Sequence, residues 1–363
     1  MPAPTLAPDA APTVTDPTTT LMFAEASEGG AAVRRFLDHN RDTLQKLAEH
    51  LRANPPRSVT TCARGSSDHA ATFGKYLIET LLGVPTSSAA LSVSSIYAAP
   101  VVASDSLCIA ISQSGRSPDL LTAVEAHKKA GAHVVALVND ETSPLASLAD
   151  TLLPLKAGPE KSVAATKSYI ASLAALAAIA AAWAGDDALM TALDALPAQL
   201  EKAFALNWTP ALLVLTQARN LFVIGRGYGL AVAQEAALKL KETCALHAEA
   251  FSSAEVRHGP MAIVGDGFPV LALATVDTAG EGVREVAAEF AARGAAVLLA
   301  DAAGPLASPF ESSAVHLPSL ATAPALEPIL LIQSFYRLAN ALSLARGLNP
   351  DHPPHLNKVT RTL

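Results

Sequence analysis

The sequence of 363 residues contains a divergent internal repeat, and this repeat restricts the possible folds more than any other feature. In each half, short apolar runs alternate with turns and with amphipathic segments of helical spacing. The matching landmarks lie 162 and 163 residues apart: Arg64–Gly65 with Arg226–Gly227, and Gly131 with Gly294. Strands and helices that alternate in this way form parallel sheets with helices on both faces. The sequence therefore predicts an α/β fold of two tandem domains, each a parallel sheet in a three-layer αβα arrangement.

The pattern also predicts how the chain is divided. The first twenty residues are rich in Pro, Thr and Ala, which is typical of a disordered tail. Apolar residues at helical spacing follow them, and the prolines near the C-terminus exclude regular structure there. The predicted segments are a disordered tail (1–20), an N-terminal helical segment (21–53), a first domain (54–200), a second domain (207–347) and a C-terminal tail (348–363).

Composition excludes several classes of function. The net charge is −7 and the basic residues are not clustered, which disfavours a nucleic-acid partner. Cys62, Cys108 and Cys244 lie far apart, so we expect buried thiols in a reducing compartment and neither a disulfide framework nor a metal site. The longest apolar run, 170–184, is too short and too rich in alanine to span a bilayer, so a buried helix is expected. The N-terminus lacks a signal-peptide pattern, and we expect a cytoplasmic protein without a membrane anchor.

A candidate anion site follows a strand in the first half. The apolar residues 107–111 lead into the run Ser-Gln-Ser-Gly-Arg-Ser at 112–117, and Pro118 suits the first turn of a helix. Hydroxyls, an amide and the free N–H groups of a helix start hold a phosphate well. The alternative is an ordinary strand-to-helix turn that is capped by serine. At the equivalent place in the second half stands Asp277, whose carboxylate would repel a phosphate, so we expect one phosphate site per chain.

The second half carries a candidate acid–base group on one helix. Glu235, Lys239 and Glu242 are spaced by four and three residues, which places them on one helical face. The alternative is a solvated stripe of ion pairs. The segment 246–260 follows, and it carries His258 beside a Gly-Pro turn.

Together, the paired repeats, the Ser-Gln-Ser-Gly loop, the run Ala-Leu-Lys-Leu-Lys-Glu at 237–242 and the segment 246–260 resemble the sugar isomerase (SIS) superfamily. Within it, the chain resembles the isomerase half of glutamine–fructose-6-phosphate aminotransferase and the stand-alone type II glucosamine-6-phosphate deaminases. The resemblance extends from about residue 22 to the C-terminus, and it implies two flavodoxin-like SIS domains.

The resemblance also implies a set of residues that bind the phosphate and the sugar. The family usually has a serine where Ala165 stands, so a hydroxyl contact is not expected there. For Arg116, a charge near the phosphate and a solvent-facing side chain both stay open. The implied binding residues are Ser66, Ser67, Ser112, Gln113, Ser114, Ser117, Val163, Ala165 and Asn357.

Four residues match catalytic positions of the family. Glu242 matches the general base that moves a proton between C1 and C2, and Lys239 matches a lysine near the open-chain substrate. His258 matches the residue that opens the sugar ring. In the family it comes from the neighbouring subunit, which implies a homodimer. Lys358 matches a C-terminal lysine that forms a Schiff base with the keto sugar. A carboxylate base, a histidine and a lysine suit this chemistry without any metal or organic cofactor.

The expected reaction is deamination of glucosamine 6-phosphate to fructose 6-phosphate. The aminotransferase has a glutaminase domain with a cysteine at position 2, whereas this chain has Pro2 and about twenty residues before its first helix. The alternatives are the aminotransferase reaction itself, deamination of galactosamine 6-phosphate, deglycation of a fructosamine phosphate, and a sugar-phosphate sensor without catalysis.

Overall fold

The computed structural model of the chain describes residues 16–304 and 314–358. The strands in these ranges are β1 (Ser58–Cys62), β2 (Thr86–Ser88), β3 (Ser106–Ser112), β4 (His133–Val138), β5 (Thr151–Pro154), β6 (Asn220–Gly225), β7 (His247–Ser252), β8 (Pro269–Ala274), β9 (Ala296–Asp301) and β10 (Ala314–Leu317). The helices are α1 (Leu21–Ser27), α2 (Gly29–Ala53), α3 (Ser66–Leu82), α4 (Ser92–Ser95), α5 (Pro118–Lys129), α6 (Pro144–Leu148), α7 (Lys167–Ala184), α8 (Asp187–Ala205), α9 (Leu212–Leu215), α10 (Gly229–Cys244), α11 (Thr278–Ala292) and α12 (Glu327–Ala345).

The strands form two parallel sheets with the same order, which confirms the predicted α/β fold. The first sheet reads β2-β1-β3-β4-β5, and the second reads β7-β6-β8-β9-β10 from the corresponding edge. All pairings within them are parallel. In this order β1 has β2 on one side and β3 on the other, so the order of successive strands across the sheet changes direction between β1 and β3. Ligands of such sheets bind in the crevice outside the carboxyl ends of the strands at that reversal.

Burial explains why these segments form parallel strands and a central helix. Every residue of β3 is buried, as expected for a strand that is covered on both faces. The alanine-rich α7 packs against α2, α3 and α8, and 89% of its apolar window is buried. Within the described ranges, α7 is the one helix with the length and hydropathy of a membrane span. Its position in the core agrees with the predicted buried helix.

The N-terminal segment is ordered earlier than predicted. A 3₁₀ helix spans Pro17–Thr19, and Thr20 caps α1 by accepting a hydrogen bond from the Phe23 N–H. The Thr20 hydroxyl also donates to Asn340 in α12, and Asn340 donates to the Pro17 carbonyl oxygen. The prediction of disorder is therefore wrong from residue 16 onward, because these polar contacts with α12 hold the segment. Residues 1–15 lie outside the described residues.

The C-terminal tail crosses back to the first half of the chain. It has no helix or strand between residues 348 and 358, as its prolines predict. The carboxylate of Asp351 accepts hydrogen bonds from the Leu21 and Met22 N–H groups at the start of α1, at 2.8 and 2.7 Å. The Asp351 carbonyl oxygen accepts a third hydrogen bond, from the Val163 N–H. These contacts fix the end of the tail beside the loop that precedes α7.

Candidate active site

A pocket of about 360 Å³ opens at the carboxyl ends of β1 and β3, where the sheet order reverses. It joins the loop after β1, the loop after β3, the loop before α7 and the C-terminal tail. Its lining residues are Arg64, Gly65, Ser66, Ser67, Ile111, Ser112, Gln113, Ser114, Ser117, Leu120, Ala165 and Lys358. Among these described residues are two cations and no carboxylate, so the pocket suits an anion.

The loop after β3 is shaped by its own first serine. The buried Ser112 hydroxyl accepts a hydrogen bond from the Gly115 N–H at 2.9 Å. Gly115 has φ +63°, and a Cβ atom there would lie 2.3 Å from the Ser143 hydroxyl, so only glycine fits. Ser117 is the N-cap of α5, but its side chain makes no capping hydrogen bond. Its hydroxyl is therefore available to a ligand in the pocket.

The two arginines near this loop have different partners. Arg64 lines the pocket, and its Nη2 lies 2.8 Å from the carboxylate of Asp119, whose side chain is fully buried. Asp119 thus holds the half-exposed guanidinium of Arg64 at the pocket wall. In the sequence, Arg64 stood out only as a landmark of the repeat. Arg116 instead pairs with Asp140 at 2.8 Å and does not line the pocket, which answers the question that the sequence left open.

The C-terminal tail brings Lys358 into the pocket through a buried carboxylate. The Lys358 Nζ donates to Glu160 Oε2 at 3.0 Å and to the Ser162 carbonyl oxygen at 2.8 Å. Glu160 also accepts hydrogen bonds from the Thr166 N–H and from Ser168. Burial alone raises the pKa of Glu160, but the Lys358 charge and these hydrogen bonds outweigh it and hold the pKa below its usual value. Glu160 lies in none of the sequence motifs that predicted the site, so the sequence did not indicate it.

The predicted acid–base residues of α10 form a buried cluster. Lys239 contacts the Glu242 carboxylate, and its Nζ lies 3.5 Å from Glu235 Oε1. The Glu235 and Lys239 side chains are 0% and 1% exposed, while Glu242 is 23% exposed. The solvated stripe is therefore excluded. Glu235 in turn accepts from Tyr336 at 3.3 Å and pairs with His69 Nδ1 at 3.0 Å, which joins the second half of the chain to α3 of the first.

The charges of this cluster are coupled to those of the pocket. Burial lowers the pKa of Lys239, but the charges of Glu235 and Glu242 outweigh it, so the pKa lies above its ordinary value. The charge of Glu160 contributes to the same increase. Glu160 thus lies within electrostatic reach of Lys239 while it binds Lys358 directly. The Lys239–Glu242 pair and the Lys358 ammonium belong to one connected group of charges.

Five of the residues implied by the resemblance lie outside the pocket lining: Lys239 and Glu242 of α10, and also His258, Val163 and Asn357. His258 ends a 3₁₀ helix after β7, and it is exposed. Val163 is half-buried, and its N–H is used by the Asp351 carbonyl oxygen. Asn357 is exposed next to Lys358. His258 is therefore not among the residues that a single chain brings to this pocket.

The equivalent place in the second sheet is filled by the protein itself. After β8, the Val276 N–H donates to Glu327 Oε2 at 2.7 Å, and Asp277 caps α11 by accepting from the Gly280 N–H. Glu327 is fully buried, and burial raises its pKa above the ordinary value. Two carboxylates thus stand where the first half has its pocket. Among the described residues after β8, this arrangement disfavours a second anion site of the same kind, and the sequence showed only Asp277 of it.

The comparisons with known proteins agree with this architecture. The model of the SIS domain matches residues 54–182 and 214–322. The glutamine–fructose-6-phosphate aminotransferase (isomerizing) of Symbiobacterium thermophilum is 36% identical over 83% of this chain and 51% of its own length. The chain thus spans about half the length of the curated relatives it matches.

Solved structures match nearly the whole chain. A candidate phosphosugar isomerase from Silicibacter pomeroyi has a TM-score of 0.85 and 42% identity, and covers 92% of this chain and 100% of its own. The C-terminal domain of glucosamine-fructose-6-phosphate aminotransferase from Francisella tularensis has a TM-score of 0.84 and 26% identity, with 93% and 100% covered. With both halves matched by the domain model and the two sheets in the same order, this chain belongs to the SIS domain family.

Proposed function

We propose that this chain converts glucosamine 6-phosphate to fructose 6-phosphate and ammonia. The observation that carries the proposal is the meeting of the serine-rich loop and Lys358 at one pocket, next to the charge cluster of Lys239 and Glu242. The names of the relatives support the substrate class, since they refer to phosphosugars and to fructose 6-phosphate.

The phosphate group is proposed to bind at the start of α5. The hydroxyls of Ser114 and Ser117 and the first N–H groups of this helix face an anion with partial positive charge. Arg64 and Lys358 add N–H donors on the wall, each paired with a buried carboxylate. Together these groups are proposed to bind a phosphate monoester.

Glu242 is proposed to move the proton. Its carboxylate is partly exposed, and the buried Lys239 holds it in place. In the open-chain amino sugar, Glu242 takes the proton from C2 and returns it to C1, while the C1 oxygen gains a proton and the C2 amine loses one, which leaves a hydroxyl at C1 and an imine at C2. Water adds to that carbon, the C–N bond breaks, and ammonia leaves with the proton it needs, so fructose 6-phosphate is released. No oxidant or reductant is required.

Lys358 is proposed to act first through its charge. Glu160 Oε2 and the Ser162 carbonyl oxygen hold its Nζ at the pocket wall, where its charge polarises a nearby sugar oxygen. A Schiff base with the keto sugar additionally requires Lys358 to give up one proton. Trapping with borohydride in the presence of fructose 6-phosphate tests this step, because a covalent adduct at Lys358 forms only through the imine.

His258 is proposed to open the sugar ring from a second copy of the chain, since it is exposed and outside the pocket of its own chain. Coexpressing Glu242→Gln with His258→Asn tests this arrangement. Mixed dimers then contain one site with both native residues, so about one quarter of wild-type activity returns. If His258 acts within its own chain, the mixture stays as inactive as either variant.

The main experiment measures ammonia release from glucosamine 6-phosphate by the purified chain. We expect turnover in the wild type and a decrease in kcat of about 100-fold or more in Glu242→Gln. Glu249→Gln is the matched control, because this exposed glutamate lies seven residues further on, in β7. Absence of ammonia from the wild type, or full activity in Glu242→Gln, contradicts the proposal.

The same assay separates the alternatives. The 36% identity to an aminotransferase favours synthesis of glucosamine 6-phosphate as the second candidate, which is tested by supplying fructose 6-phosphate with ammonia or glutamine. Galactosamine 6-phosphate and a fructosamine phosphate are compared at equal concentration. A sensor is indicated if sugar phosphates raise the melting temperature of the chain without any turnover.

A further inference from the structure

Three soft donor groups meet on the face of the first sheet that α5 covers. The sulfur atoms of Cys62 and Cys108 lie 3.9 Å apart. Together with a ring nitrogen of His127, their ligand atoms all lie within 4.8 Å of one another. The exposed fractions of the three residues are 0%, 0% and 8%. Two thiols and an imidazole in such a group form the donor set that thiophilic metal ions prefer.

The fold positions these donors independently of their separation in sequence. In the pairing of β1 with β3, Thr60 lies opposite Cys108 and Cys62 lies opposite Ala110. Cys62 and Cys108 therefore point to the same face of the sheet, one pleat apart. His127 reaches them from the last turn of α5, which covers that face.

The tautomer of His127 leaves one nitrogen available. Its Nδ1 lies 2.9 Å from the carbonyl oxygen of Ala123, one turn earlier in α5. A carbonyl oxygen only accepts, so Nδ1 carries the hydrogen, and in the neutral ring Nε2 is then the nitrogen with the lone pair. A hydrogen bond from the other ring nitrogen to a carbonyl is the usual support of a histidine that binds a metal.

Distance and charge both favour a divalent ion of the zinc type. With metal–sulfur bonds of about 2.3 Å and tetrahedral angles, two sulfur ligands lie about 3.8 Å apart, close to the observed 3.9 Å. Two thiolates and a neutral imidazole balance a charge of +2. Neutrality matters here because the surroundings are apolar, with Leu91, Leu120 and Val124 in the same cluster.

We propose that Cys62, Cys108 and His127 form a binding site for a thiophilic divalent cation of the Zn²⁺ class. Binding converts both thiols to thiolates, so two protons are released for each ion, and the three side chains supply three positions of a tetrahedral site. The sequence predicted no metal site because the two cysteines are 46 residues apart and lie on different strands.

The site would stiffen the neighbouring pocket. Its three ligands come from the three elements whose ends form that pocket: β1 leads into Arg64, β3 leads into the serine-rich loop, and α5 begins at Pro118. A bound ion connects these elements directly. None of the three ligands is itself a lining residue of the pocket, so cation binding is measured separately from catalysis, and either proposal can fail alone.

Cadmium is the test ion, because its thiolate complexes have an ultraviolet charge-transfer band that histidine or carboxylate complexes lack. The full chain is reduced, freed of metal and titrated with Cd²⁺ in a weak buffer, on the folded protein and during refolding. We expect the band to saturate at about one equivalent with release of about two protons. Loading with Zn²⁺ is expected to raise the melting temperature.

Variants assign the ligands. Cys62→Ser and Cys108→Ser should abolish the band, and His127→Gln should weaken binding by about tenfold or more. Cys244→Ser is the matched control, since Cys244 is also a buried free cysteine but lies outside the cluster, and it should keep the band. Absence of a thiolate band in the wild type overturns the proposal, whether or not the variants fold. A band that survives in Cys62→Ser or disappears in Cys244→Ser also overturns it.

Discussion

Lys358 of the C-terminal tail and Glu160 of the loop before α7 form a 3.0 Å ion pair although they are 198 residues apart. The Glu160 side chain is fully buried and that of Lys358 is 23% exposed. The pair joins the end of the chain to the wall of the candidate active site, and each charge depends on the other for its stability.

A double-mutant cycle between these two residues should show strong coupling. Glu160→Gln leaves the Lys358 ammonium without its partner, and Lys358→Gln leaves a buried carboxylate, so each single change is destabilising. Once one residue is changed, loss of the other has a smaller effect. We expect a coupling energy of about 1.5 kcal/mol in urea unfolding. Additive effects of the two substitutions would contradict a direct interaction.

The contribution of Glu160 to the free energy of unfolding should decrease at acidic pH. Its pKa in the folded protein lies below the ordinary value of 4.5. Its ionised form therefore stabilises the folded state above pH 4.5, and this stabilisation is lost as the pH falls through the lower, folded-state pKa. We expect the difference in unfolding free energy between wild type and Glu160→Gln to be constant near neutrality and to shrink below pH 4.5. A difference that grows on acidification would exclude this assignment.

Glu235 should be more important for stability than its position on a polar helix face indicates. It is fully buried between Lys239, His69 and Tyr336, so Glu235→Gln removes the charge that balances Lys239. We expect a loss of about 3 kcal/mol in unfolding free energy. The matched control is Glu125→Gln in α5, where the glutamate is half exposed and 3.6 Å from Lys129. This exposed pair should contribute no measurable stability, and equal effects of the two changes would refute the prediction.

Replacing Gly115 by alanine should destabilise the protein more than the same change at another glycine with a similar backbone conformation. Gly115→Ala places a Cβ atom 2.3 Å from the Ser143 hydroxyl and adds strain at φ +63°. We expect a loss of about 3 kcal/mol and weaker binding of inorganic phosphate. Gly83→Ala at the end of α3 is the control, because Gly83 has φ +68° with nothing within 4 Å of an added Cβ. Strain alone should reduce stability there by about 1 kcal/mol. Calorimetry measures the loss of stability in both variants. Equal losses would show that the contact with Ser143 adds nothing to the backbone strain.

Local patterns predicted the framework well. The alternation of apolar runs with amphipathic segments predicted parallel sheets, and the motif at 112–117 lies at the reversal of strand order. The roles of Glu242, His258 and Lys358 stay predictions, which the experiments on ammonia release and mixed dimers test. The prediction of disorder failed for 16–20, because contacts with α12 hold that segment.

The sequence by itself determined what depends on neighbours along the chain. Strand and helix periodicity, the glycine of the turn and the serines at a helix start are local properties, and they predicted a candidate anion site at the edge of the first sheet where the pocket opens. Only the tertiary structure decided which distant side chains come into contact. Glu160 with Lys358, His69 with Glu235, and Cys62 with Cys108 each join separate elements. Such meetings depend on how helices and strands pack around the common core, and periodicity along the chain carries no information about that packing.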